Sequence, residues 1–177
     1  MDEIEFLKNI KLYDNEAYSY IKDNISYITR YAPGVFINTE KGILKSFHVN
    51  VPYKKSFEEE LQNIHELTHA FQAYPYLGKK AKYVLNKKAE ILPIAAERLY
   101  TIVNNIDKIE WLNNYQIELL KYSSYRHLLG YYYQFDVVDN FLNKGEFIDS
   151  NLELQNITEE VVKKKILSMK NKKYLGN

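Results

Sequence analysis

Residues 56–75 read SFEEELQNIHELTHAFQAYP. Phe57, Leu61, Ile64, Thr68 and Phe71 recur at intervals of four and three, which aligns them on one face of an α-helix. Ser56 stands at the N-cap position, and Glu59, three residues on, completes a capping box. Pro75 and Gly78 interrupt the pattern, so the spacing predicts a helix ending at about Tyr74. At about 100° per residue, His65 and His69 fall together at the edge of the apolar stripe, and Glu66 projects from the next sector round.

What precedes this helix predicts a small sheet. Residues 34–52, GVFINTEKGILKSFHVNVP, hold two β-prone runs, Val35 to Asn38 and Ile43 to Val51, joined by Thr39-Glu40-Lys41-Gly42. They read as a β-hairpin. In the second run Phe47, Val49 and Val51 alternate with Ser46, His48 and Asn50, the pattern of a half-buried strand closed by Pro52. Residues 2–31 read as helix, with one stripe of Ile4, Leu7 and Ile10 and another of Ala17, Ile21, Ile25 and Ile28. Asp14 or Asn15 separates the pieces, and Ala32-Pro33-Gly34 stops the second. Beyond Lys79 the pattern predicts only helices, at about 86–105, 107–121, 124–143 and 158–171. Gly145 ends the third of these and Thr158 caps the last. The expected fold class is α+β: one mostly helical domain spanning 1–177, with a small N-terminal hairpin or sheet packed on the histidine-bearing helix.

Composition narrows the chemistry. The chain has 177 residues, 46% hydrophobic and 27% charged, with 24 basic and 23 acidic residues and a net charge of +1. That is a globular composition with no strong field toward nucleic acid or an anionic membrane. There is no cysteine, so disulfides and thiolate ligands are excluded, and a metal site must use His, Asp or Glu. The charged start MDEIEFLKNIKLYDNEAY lacks the apolar region of a signal peptide. No apolar run approaches a membrane span. The expected location is the cytoplasm.

Two imidazoles one helical turn apart can both reach a metal at about 2.0–2.1 Å. A glutamate beside the first is better placed as a general base, taking a proton from water that the metal activates. The pentapeptide HELTH, residues 65–69, resembles the H-E-x-x-H motif of the zincin metallopeptidases, and the resemblance covers roughly residues 34–105. It implies His65 and His69 as zinc ligands and Glu66 as catalytic base. It also implies that a strand just before the motif pairs with extended substrate, and ILKSFHVNVP, residues 43–52, is placed as that strand.

A catalytic zinc usually takes three protein ligands. The metzincin extension H-x-x-G-x-x-H meets Gln72 and Pro75 here, so that branch is excluded. The gluzincin branch takes a glutamate from the next helix, and NKKAEILPIAAERLYTIVNN, residues 86–105, offers Glu90 and Glu97. Seven residues are two helical turns, so both face the same way. Resemblance to the shorter gluzincins favours Glu90 as third ligand, with Glu97 as the alternative, otherwise orienting a histidine or an arginine. Pro93 can start or kink this helix and shift its register.

The segment YRHLLGYYYQFDVVDNF, residues 125–141, is similar to the His- and Tyr-rich late helix of some helical gluzincin oligopeptidases. The similarity makes His127 and Tyr131 to Tyr133 candidates for stabilising negative charge on a substrate carbonyl oxygen. A Tyr/Leu stripe at this spacing also reads as core.

The expected function is a zinc-dependent metallopeptidase acting on a peptide or protein substrate, with no nucleic-acid or membrane partner. The alternative is a metallopeptidase-like regulatory or binding protein, of phage or mobile-element type, acting on one specific protein partner.

Overall fold

The computed structural model describes residues 3–10, 15–28, 32–53, 56–82, 86–172 and 174. The fold is α+β and mostly helical, with one three-stranded sheet. Chain contacts divide it into two compact units, Met1–Ala89 and Glu90–Asn177.

The first unit holds α1 (Glu3–Asn9), α2 (Asn15–Asp23), β1 (Ile25–Ile28), β2 (Gly34–Glu40), β3 (Ile43–Pro52) and α3 (Phe57–Ala73). Residues 25–28, expected as helix, form a strand. Asn24 Nδ2 donates to the Tyr20 carbonyl at 2.7 Å and takes over the end of α2, as short polar side chains do when they compete with a helix. The β-branched and aromatic run Ile-Ser-Tyr-Ile then pairs in parallel with β3, Ile25 against Val49 and Ile28 against Pro52, a surface that suits such residues. Of the expected break, Asp14 lies outside the described residues, while Asn15 begins α2. Residues 29–31 also lie outside them.

The expected hairpin of β2 and β3 is present, antiparallel, with a register shift between Asn38 and Thr39. It belongs to a larger sheet, because β3 is the central strand of the order β1-β3-β2. Phe47, Val49 and Val51 are buried as their alternation requires, and β3 packs on α3.

Ser56 caps α3 by accepting from Glu59 N at 3.2 Å. Leu61, Ile64, Thr68 and Phe71 are all within 1% of full burial, and Thr68 satisfies its hydroxyl on the Ile64 carbonyl at 2.7 Å. Asn63, also buried, directs its amide at the Pro52 and Glu59 carbonyls, each at 3.2 Å. That bond fastens α3 to the end of β3.

The second unit holds α4 (Ile91–Asn104), α5 (Ile109–Leu119), α6 (Tyr125–Lys144) and α7 (Glu159–Ser168), with α4 packed chiefly on α6. Residues 86–90, expected as helix, form a turn: Asn86 Oδ1 accepts from Lys88 N at 2.9 Å, and such Asx turns compete with helix. The helix therefore starts at Ile91, with Pro93 in its first turn, where a missing N–H costs nothing. Gly145 ends α6 in the left-handed region, and Thr158 caps α7, as expected.

Arg98 is buried in this unit. Its guanidinium donates to Gln134 Oε1 and Asn113 Oδ1, both at 2.7 Å, and to Gln116 Oε1 at 3.1 Å, and its central carbon lies 4.4 Å from the centre of the Phe135 ring. Burial pulls its pKa down to about 10, so it remains a cation at neutral pH.

Candidate metal centre

One ligand atom from each of His65, His69 and Glu90 lies within 4.8 Å of the others. This group could hold a metal ion. Glu97, the alternative third ligand, is not part of it. Both histidines project from α3, one turn apart, at the rim of its buried face. Their ring centroids are 4.8 Å apart and their planes meet at 73°. His65 Nε2 and His69 Nε2 are 3.2 Å apart. Two metal–nitrogen bonds of about 2.0–2.1 Å at a tetrahedral angle span roughly 3.3 Å, so the pair is already spaced as one edge of such a site. Two imidazoles and one carboxylate are hard-to-borderline donors that suit a divalent transition metal.

His69 Nδ1 lies 2.9 Å from Gln72 Oε1, and Gln72 Nε2 donates to the Ala89 carbonyl at 3.1 Å. Glu90 is the N-cap of α4 but makes no side-chain capping bond. Its main-chain carbonyl accepts from Ile94 N at 3.2 Å.

Glu66 follows His65 on α3 and is half-buried. Its carboxylate reaches the start of β2, where Oε2 lies 4.0 Å from the position a β-carbon on Gly34 would take.

His127 stands beside the third member of the group. Its Nε2 is 3.5 Å from Glu90 Oε2, and its Nδ1 is 2.7 Å from the hydroxyl of Ser124, which caps α6 by accepting from His127 N. Tyr131 is buried, at 6% exposure. Burial, and next the Glu97 carboxylate, push its phenol well above the usual range, against a hydrogen bond with Ser123 that lowers it. The hydroxyl keeps its proton and can act only as a neutral group. Tyr133 has a structural part: its hydroxyl donates to the Glu153 carbonyl at 3.0 Å and accepts from Gln155 N at 2.8 Å, fastening the loop before α7.

The structure overturns the expectation that an extended substrate pairs with residues 43–51. On one side β3 is bonded along β2. On the other, Leu44 N donates to Lys79 O, Phe47 N to the Tyr20 hydroxyl and Val49 N to Asn24 O, and β1 takes the rest. A strand saturated on both edges has no ladder left to offer. Among the described residues, the outer edges of β1 and β2 pair with no other strand, and of the two it is β2 that begins beside Glu66.

Two contributors were missed in the sequence. Ser124 sits before a helix and three residues from His127, which is an N-cap signal. Gly130 interrupts a helical run, a sign of close approach.

No helix among the described residues is long and apolar enough to cross a membrane. In comparisons with known proteins, no family model, no curated protein and no solved structure matches the chain.

Proposed function

We propose that the chain is a zinc-dependent metallopeptidase. The observation that carries this reading is the convergence of His65, His69 and Glu90 within 4.8 Å, with Glu66 next to the first ligand on the same helix. His65 Nε2, His69 Nε2 and a Glu90 carboxylate oxygen would hold the ion. Zinc, when bound, supplies a Lewis acid that polarises a carbonyl and makes water acidic near neutral pH.

The chain's own residues do the rest. The Glu66 carboxylate takes the proton from the attacking water and delivers it to the leaving amine nitrogen. A metal site alone would not need a carboxylate there. His127 stands beside the Glu90 carboxylate, Tyr131 keeps its proton through burial, and a hydroxyl held protonated can donate to a developing oxyanion. An extended peptide would add to the outer edge of β2, which begins at Gly34 beside Glu66, through main-chain hydrogen bonds.

The test is metal analysis of the purified protein, followed by cleavage of an unstructured protein substrate. About one zinc per chain is expected for this three-ligand site. Glu66→Gln is expected to keep the zinc and lose cleavage. Iron or no metal in place of zinc overturns the reading, as does cleavage that survives Glu66→Gln.

A further inference from the structure

Gln72 spans two partners with one amide. Ala89's main-chain carbonyl can only accept a hydrogen bond, so the side-chain nitrogen of Gln72 must face it, at the observed 3.1 Å. The side-chain oxygen then faces His69 Nδ1 at 2.9 Å. An amide oxygen carries no hydrogen, so the proton of that bond belongs to Nδ1. In the neutral ring this leaves the lone pair on Nε2, the nitrogen that stands 3.2 Å from His65 Nε2. A main-chain carbonyl 17 residues beyond Gln72 thereby selects which histidine nitrogen is available to a metal.

We propose that Gln72 is a positioning residue of the metal centre: its amide sets His69 in the Nδ1–H tautomer and ties that ring to the main chain beside Glu90. The proposal rests on the metallopeptidase reading only for the identity of the ion. Glutamine is the side chain that suits the task. Glutamate has no hydrogen for the Ala89 carbonyl, asparagine is shorter by a methylene, and an apolar residue makes neither bond. The same amide places both ends of the ligand set under one constraint. Ala89 precedes Glu90 directly, so a bond that orients the ring of His69 also restrains the main chain that carries the carboxylate. Metal-site partners of this kind commonly contribute 10- to 100-fold in affinity.

Two measurements on the full chain test this. Long-range proton–nitrogen NMR of the metal-free protein reads the ring tautomers directly. His69 is expected as Nδ1–H in the wild type, as a mixture in Gln72→Leu, and again as Nδ1–H in Gln72→Glu, which keeps the acceptor. Competition with a chromophoric chelator reads zinc affinity, expected to fall about 10- to 100-fold in Gln72→Leu. An Nε2–H tautomer for His69 in the wild type overturns the proposal. So does a folded Gln72→Leu protein with unchanged zinc affinity. If Gln72→Leu does not fold, the wild-type and Gln72→Glu tautomers decide. A wild type that binds no zinc would sink the metallopeptidase reading, while the tautomer measurement would still judge Gln72.

Discussion

A β-carbon on Gly130 would stand 2.8 Å from the main-chain carbonyl oxygen of Glu90 and 2.4 Å from Ile94 Cδ1. At this crossing α6 meets the first turn of α4 at a distance that only glycine allows. Glu90 is thus held by its main chain as well as by His127 at its carboxylate. Gly130→Ala must push the two helices apart, because the Glu90 carbonyl is backbone and, unlike the Ile94 side chain, cannot rotate away. Overpacking of this kind costs about 1–3 kcal/mol. Urea unfolding should show that loss, and zinc affinity should fall with it because the displaced carbonyl belongs to Glu90. Wild-type values for both would refute the coupling.

The proposed ligand set separates two glutamates seven residues apart, Glu90 in the turn before α4 and Glu97 within it. Replacing His65, His69 or Glu90 by alanine is expected to release zinc on dialysis against a weak chelator. Glu97→Ala is expected to retain it. Zinc kept by Glu90→Ala and lost from Glu97→Ala would reverse the assignment.

Arg98 makes a prediction about stability. Its guanidinium is surrounded by the amides of Asn113, Gln116 and Gln134. In Arg98→Met the two glutamines can still bond to each other, as they already do, but Asn113 Oδ1 loses its donor. Stranding a buried acceptor and losing charge-assisted bonds should cost about 2–4 kcal/mol. A urea midpoint equal to that of the wild type would show that the cluster contributes nothing.

Tyr131 makes a prediction about pH. Its phenol is raised above the ordinary value of 10.0 by burial and by Glu97. The unfolded chain therefore releases this proton first as pH rises. Stability from this group is fully present below the unfolded value and is lost as pH climbs toward the folded one. Tyr131→Phe removes the ionisable group, so its unfolding free energy should fall less steeply above pH 10 than that of the wild type. Parallel slopes would contradict the shift.

Local patterns in the chain were informative wherever neighbouring residues settle the geometry. The cap at Ser56, the stripe from Leu61 to Phe71, the alternation of Phe47, Val49 and Val51 and the stop at Gly145 all follow from helix and strand periods. Those periods hold whatever the rest of the chain does. The juxtaposition of His65 and His69 belongs to the same class, since four residues of helix bring two side chains together. The reading failed where a short polar side chain or a distant strand competed with the local pattern. Asn24 ended one apparent helix and Asn86 delayed the start of another, and Ile25 and Ile28 fitted a helical stripe as well as a strand.

The remaining decisions came from contacts distant in sequence. Glu90 and Glu97 are indistinguishable by spacing, because two turns of helix return to the same face. What separates them is that α4 begins at Ile91, which leaves Glu90 in the turn. Gln72 holds that turn through the Ala89 carbonyl, and Gly130 lies against its backbone. The edge available to an extended peptide was also beyond local reading. The alternation along β3 marks a half-buried strand, but only the order β1-β3-β2 puts it in the middle and leaves β1 and β2 outside. A helix sets two histidines side by side in its own repeat. The third member of the group and the unpaired sheet edges depend on which segments of the folded chain lie next to one another.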